Sequence, residues 1–379
     1  METEKMIVAL RHELHENPEL SGCETETKQR LMRFIREHTG LAVCDQGKWF
    51  YAYYEPEEKT DARPIAFRAD MDALPMPEAI DLPWGSRRQG AAHKCGHDGH
   101  SSVLAWLALR LEGDAAIRRP VYLIFQSAEE TGRGGRDCAQ FIREQGIGEV
   151  YAFHNLSGYP EGAVMVRDRL SQCASKGLTV SFEGRRSHAS APEDGISPVP
   201  AASQLALFAC GKKEWRGMDP SGKTLLCTVI DLHVGTKDFG ISPGSGEVSF
   251  TLRADFENEM EDMQRQIESE AERLAGRYGL RVRFAEADPF PETVNDPRCA
   301  EKVRAAARSL GLTLAPMDRP WRASEDFGWY TKVCPGAIFY IGNGMDWPMP
   351  HQPEYDFNDR ILTTAADLFC RLAERKQIN

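Results

Sequence analysis

The ten residues from Ala91 to His100 read AAHKCGHDGH and gather a thiol, three imidazoles and a carboxylate into one short stretch. Packing alone does not call for that density of metal-seeking groups. A structural zinc clip pairs short Cys and His spacings at both ends of a loop, and the sequence holds no second cluster of that kind. Cys95 and His97 stand two apart, so an extended backbone would point both the same way, as two ligands of one ion. Thiolate and neutral imidazole suit zinc, and added carboxylates would also admit manganese or cobalt. The stretch reads as a metal centre.

Other candidate site residues lie where apolar runs end. Pro64 to Arg68 (PIAFR) reads as a buried strand and runs into Arg68, Asp70 and Asp72 of FRADMDALP. Pro120 to Ser127 (PVYLIFQS) is a second such strand and ends in Glu129 and Glu130; Gly146 to Asn155 is a third and ends in His154. Gly336 to Ile341 (GAIFYI) is a fourth, followed by a segment that holds His351. In open α/β sheets the site lies beyond the carboxyl ends of the strands. Adjacent glutamates are common on surface helices, but a surface helix would not open with PVYLIF, so the pair reads as two carboxylates dividing metal and substrate duties. The glycines 132, 134 and 135 lack the spacing of a phosphate loop, and the neighbouring glutamates would repel phosphate. Helices are expected over Met6 to Glu16, Glu24 to Glu37, Ser101 to Leu111, Asp296 to Leu310 and Arg360 to Arg375, with one more strand over Trp49 to Tyr54.

From about Cys173 the pattern changes to strand, helix, strand, strand, helix, strand: Leu178 to Phe182, Pro198 to Cys210, Leu226 to Val234, Glu247 to Ala254, Glu257 to Tyr278 and Leu280 to Phe284. That order fits a ferredoxin-like α+β insertion. The expected organisation is an α/β domain with a central, mostly parallel sheet over residues 1–174 and 289–379, interrupted by the insertion over 175–288. A length of 379 residues accommodates two such domains. The net charge of −11 would repel nucleic acid and anionic membrane surfaces, which leaves a small molecule as the expected partner. Ten cysteines without paired spacing, a charged start that lacks an apolar core and the absence of any 18-residue apolar run point to a reducing, cytoplasmic setting.

Taken together, RHELHENPEL, FRADMDALP, CGHDGH, SAEETG, FHN, ASEDF and HQPEYDFND follow the order and spacing of the M20 metallopeptidase family, and more closely resemble its amidohydrolase branch of aminoacylases, hippurate hydrolases and auxin-conjugate hydrolases. The resemblance implies a zinc-peptidase-like catalytic domain whose insertion is a dimerisation or lid domain. It implies two divalent ions per subunit, manganese or zinc, with cobalt or nickel also possible, held by Cys95, His97, Glu130, His154 and His351. Glu129 matches the general base, and Asp70 the carboxylate that orients a metal-bound histidine. His188, in GRRSHASAP, matches a histidine that reaches into the partner subunit's site of a homodimer. Glu325 and Asp326 match the family's EDF motif, which supports the site from below.

One departure stands out. Where relatives have Asn-Val-Ile-Pro-Asp, this chain has Gly240-Ile241-Ser242-Pro243-Gly244, and the family asparagine that contacts substrate is a glycine. The expected activity is hydrolysis of the amide of an N-acyl amino acid or similar small amide. A dipeptidase or carboxypeptidase on the same scaffold is the alternative, and a non-catalytic metal-dependent binding protein is a third reading.

Overall fold

The computed structural model describes residues 2–58, 60–218 and 222–374. They form two compact units. One comprises the chain up to Ser171, Thr293–Pro320 and the residues from Glu325 onward; the other comprises Gln172–Glu292 with Trp321–Ser324.

The first unit is built on a seven-stranded sheet in the order Ala42–Asp45, Phe50–Tyr54, Val121–Gln126, Ile65–Asp70, Glu149–Ser157, Gly336–Gly344 and Val164–Met165. The four strands from Val121–Gln126 to Gly336–Gly344 run parallel, and antiparallel partners close both sides. Strands covered on both faces need apolar residues at every position, and Ile65–Asp70 and Val121–Gln126 are buried along their whole length. The side chains alternate between two cores: Phe67, Leu123, Phe125, Tyr151, Phe153 and Phe339 face one, while Ala66, Tyr122, Ile124, Val150, Ala152 and Ile338 face the other. The central helix His97–Leu111 packs on Glu2–Glu16, on Leu362–Ala373 and on Ile65–Asp70. From Val103 to Leu109 it is apolar all round because it is enclosed nearly all round, while its first turns carry buried polar groups.

This helix differs from the sequence expectation in a way that bears on the site. It begins at His97 and not at Ser101, because Gly96 takes φ 107 and turns the chain directly into the helix. Cys95 and His97 are therefore brought together across a left-handed turn and not along an extended segment. A Cβ at Gly96 would lie 2.3 Å from Oδ1 of Asn155, so glycine is required on two grounds. The helix Gly134–Glu144 was not expected from the sequence; it buries Cys138, Phe141 and Ile142 at helical spacing. At the chain end, a 3-10 turn Asp359–Ile361 and the helix Leu362–Ala373 occupy the stretch expected to be one helix to Arg375, a residue outside those described. No helix among the described residues is long and apolar enough to cross a membrane.

The second unit is an antiparallel sheet in the order Arg216–Met218, Thr224–Val234, Ser245–Ala254, Ala174–Glu183, Arg281–Phe290. The helices Val199–Gly211 and Glu257–Tyr278 pack on it over Leu178, Val180, Phe182, Val248, Phe250 and Leu252. The first long strand lies between the third and the fourth, which is the split β-α-β arrangement of a ferredoxin-like fold.

Candidate active site

Six residues converge at the carboxyl ends of the parallel strands in the first unit. His154 stands near the end of Glu149–Ser157, and Glu129 and Glu130 follow Val121–Gln126. Cys95 and His97 flank Gly96, and His351 lies on an irregular segment after Gly336–Gly344. Sγ of Cys95 is 3.4 Å from Nε2 of His154, and Nε2 of His351 is 3.4 Å from Oε1 of Glu130. Nε2 of His97 is 3.8 Å from the nearest oxygens of Asp70, Glu129 and Glu130.

The donors are presented by their surroundings. Nδ1 of His97 faces two acceptors, the backbone oxygen and Oδ1 of Asp72, at 3.0 and 3.1 Å. Its proton must sit on Nδ1, which turns the lone pair of Nε2 inward. Nδ1 of His154 likewise lies 2.7 Å from the backbone oxygen of Asn155, which leaves Nε2 towards Cys95. Among the described residues, Nε2 of His97 and Oε1 of Glu130 are buried without a hydrogen-bond partner. Buried polar atoms are nearly always satisfied, and a pair of orphans facing one space marks a place for a cation. The electrostatics agree. Burial works against charging His97, but Asp70, Asp72 and Glu130 outweigh it and hold its pKa at about 10. The same negative potential draws a divalent ion. Cys95, His97 and His154 form one group of mutually close donors, and Cys95, Glu130 and His351 another.

Glu129 differs in character from its neighbour. It is almost fully buried, and burial together with Glu325, Glu130 and Asp326 pushes its carboxyl well above the usual range, against the pull of Arg68. Its position is set by Ala128, which takes a left-handed φ of 54. The N–H of Ala128 donates at 2.7 Å to Glu24, and its carbonyl accepts at 3.3 Å from Arg133 and Gly134. His351 also has a left-handed φ, 67. Such strain in residues other than glycine persists only where the surroundings fix it, and it gathers at functional sites.

The residues below the site form one buried network. Arg68 donates to Asp70 at 2.8 Å and to Asp326 at 2.7 Å, and pairs with Glu325 at 2.9 Å. Asp326 also accepts from Gln126 and from the N–H of Gly135. A Cβ at Gly134 would sit 1.6 Å from the backbone oxygen of Ser127, so glycine there lets the following helix start against the strand end.

The geometry gives the two carboxylates different histidines. The carboxylate on Nδ1 of His97 is Asp72, whereas Asp70 lies 2.7 Å from Nδ1 of His100. The strand ends at Asp70, so alternation along it cannot tell which of the two carboxylates reaches His97. Nε2 of His100 faces Oδ1 of Asn155 at 2.6 Å, and that amide donates to the carbonyl of Cys95. His188 belongs to the second unit. It is exposed on a short antiparallel pair with Ile241, its Nδ1 2.7 Å from Oγ of Ser190.

The sequence model of peptidase family M20/M25/M40 matches residues 66–375. The chain belongs to this family. An N-acetylcysteine deacetylase of Bacillus subtilis is 28% identical over 371 residues, 97% of this chain and 96% of that protein. A thermostable carboxypeptidase of Saccharolobus solfataricus is 31% identical over 90% of this chain and 86% of its own length. A solved Bacillus subtilis structure described as a dinuclear metal-binding peptidase from the M20 family covers 98% of both chains, with a TM-score of 0.79 and 25% identity. This M20 chain is a metal-dependent hydrolase of amide bonds; it holds clusters of close donors that could bind metal, and that neighbour is described as dinuclear.

Proposed function

We propose that this M20 enzyme hydrolyses the amide bond of N-acyl amino acids, with Cys95, His97, Glu130, His154 and His351 holding two divalent ions. The observation that carries the reading is the pair of buried atoms that no hydrogen bond satisfies among the described residues, Nε2 of His97 and Oε1 of Glu130, beside a carboxyl with a raised pKa. Divalent ions bound there would acidify a water and polarise the substrate carbonyl. Glu129 takes the proton of the attacking water and delivers it to the leaving amine, a task for which a carboxyl raised above the usual range by burial and neighbouring carboxylates is suited. Asp72 fixes the ring of His97, and Asp70 fixes that of His100. Arg68 pairs with Asp70, Glu325 and Asp326 and holds them in place behind Glu129.

The reading extends to the assembly. An isologous dimer through the second unit would bring His188 of each subunit to its partner's site, where it donates a hydrogen bond to the developing oxyanion. The surface chemistry of that unit supports it. Leu207, Ile230 and Leu232 are exposed by 70, 61 and 46% on Val199–Gly211 and Thr224–Val234. Beyond Leu226 the outer edge of that strand has no partner among the described residues. An open apolar edge of this kind seeks another copy. A cytoplasmic location is supported by all ten cysteines being free.

The carboxypeptidase among the relatives keeps a peptide substrate as the second reading. Amine release from a panel of N-acyl amino acids and dipeptides, assayed with manganese, zinc and cobalt, separates them. Faster turnover of the acyl amino acids is expected, and a preference for dipeptides would select the peptidase reading. No turnover of either by metal-loaded protein would leave a binding protein.

A further inference from the structure

Lys94 stands between His93 and Cys95, and its side chain is fully buried. A buried ammonium is retained only where its donors are used. Here Nζ is bonded to the carboxylate of Glu78 and donates at 2.7 Å to the backbone oxygen of Tyr355. The other oxygen of Glu78 lies 2.9 Å from Nε2 of His15, so this anchor is itself anchored. The backbone oxygen of Lys94 accepts at 2.7 Å from the N–H of His351. One residue thus grips both ends of the turn 351–355, by the amide of its first residue and the carbonyl of its last.

That turn has no helix or strand to hold it. His351 within it is in a left-handed conformation and its side chain is 53% exposed. Its placement 3.4 Å from Oε1 of Glu130 therefore depends on the anchors of the turn. A further anchor is Tyr355, whose hydroxyl accepts from Nδ2 of Asn155 at 2.7 Å, the same amide that donates to the carbonyl of Cys95.

We infer that Lys94 is a positioning residue for the metal centre, clamping the turn 351–355 to the residue before Cys95 and so keeping His351 in reach of the ion that Cys95 and Glu130 share. The inference rests on the reading of His351 as a ligand. His351 groups with Cys95 and Glu130, while His97 and His154 group with Cys95, so loosening the turn weakens one ion and spares the other.

The test titrates metal-free full-length protein with zinc against a chromophoric chelator, giving the number of ions bound and a dissociation constant for each. It compares the parent, Lys94→Met, His351→Ala and the double variant. His351→Ala is expected to lose one binding event. Lys94→Met should weaken that same event on the order of tenfold or more, the usual cost of losing an outer partner of a ligand, with the other event unchanged. The double variant should bind no worse than His351→Ala alone, because both changes act through one ligand. Should Lys94→Met not fold, Lys94→Met with Glu78→Gln carries the same comparison without an unpaired buried carboxylate. Parent-like binding of both ions by the Lys94 variant, or losses that add in the double variant, would overturn the clamp. Parent-like binding by His351→Ala would end the ligand reading and the clamp with it.

Discussion

Asp72 joins the two halves of the centre: its Oδ1 lies 3.1 Å from Nδ1 of His97, while its Oδ2 accepts from the N–H of Glu130 at 2.9 Å and from the hydroxyl of Ser21 at 2.6 Å. Both oxygens must accept, which a carboxylate can do and an amide cannot. In Asp72→Asn, whichever way the amide turns, an N–H opposes the proton of either His97 or Glu130. Metal affinity is expected to fall about 10- to 100-fold, measured by competition with a chelator. Asp70→Asn touches His97 only at 3.8 Å and should cost less affinity. The reverse order would return the orienting role to Asp70.

The two adjacent glutamates should separate cleanly. Glu129→Gln is expected to keep both ions and the fold but lose on the order of a hundredfold or more in kcat, as removal of a general base does. Glu130→Gln should lose metal instead, since its Oε1 faces His351 and His97. Elemental analysis beside steady-state kinetics reads both. A Glu129→Gln enzyme nearly as active as its parent would remove Glu129 from the chemistry.

Much of this site is legible in the sequence because its parts sit where apolar strands stop. Ile65–Asp70, Val121–Gln126 and the run GAIFYI are buried along their length, and the groups that follow them fall at one end of the sheet by the rule of parallel α/β folds. What stays illegible is local backbone geometry and depth. The left-handed turn at Gly96 brings His97 next to Cys95, and no spacing argument finds it. The strain at Ala128 and His351 has no residue signature, since neither is glycine. Lys94 and Arg11 look like surface cations in the sequence, but both are fully buried and paired. The partner of His97, Asp72, lies two residues beyond the strand end, where periodicity no longer says which way a side chain points.

Stability should weaken on the alkaline side through His15. Burial opposes its charge, but hydrogen bonds to Asp98 and Glu78 prevail and raise its pKa from 6.5 to about 9. A folded pKa above the unfolded value contributes stability that is complete below pH 6.5 and is lost as pH rises through about 9. Glu78 acts in the opposite sense: burial would raise its pKa, yet His15 and Lys94 lower it from 4.5 to about 2, so its contribution is present above pH 4.5 and fades as pH falls towards 2. The melting temperature of His15→Gln, metal-loaded as the parent is, should lie below the parent's at neutral pH and converge with it on the alkaline side. A gap that stays constant with pH would mean that the charge of His15 contributes nothing.

Gly240 offers a test of substrate choice. A Cβ there would meet only Oδ1 of Asp238 at 3.4 Å, an ordinary contact, so a side chain fits without strain. Gly240→Asn is therefore expected to fold like its parent and to restore the polar anchor of the family pattern, lowering KM about tenfold for N-acyl amino acids with a free carboxylate, the effect of one good hydrogen bond to a charge. An unchanged KM across the panel would show that the substrate is held elsewhere.

The assembly carries the last prediction, that His188 completes the site of the partner subunit. His188 is exposed on the second unit, whereas every proposed ligand lies on the first. Its own contacts are local, to Ser190 and to the strand partner Ile241, which leaves Nε2 open to a substrate. Two inactive variants, Glu129→Ala and His188→Ala, are dissociated together and allowed to reassemble. In a mixed dimer one site carries both defects, and the other keeps Glu129 and receives an intact His188 from its neighbour. Random pairing makes about half the dimers mixed with one working site in each, so activity should recover to roughly a quarter of the parent's. Charged replacements at Ile230 and Leu232, on the open edge strand, should give monomers that lose activity while retaining metal. A reassembled mixture that stays as inactive as its components, with subunit exchange demonstrated, would confine His188 to its own subunit or to no role at all.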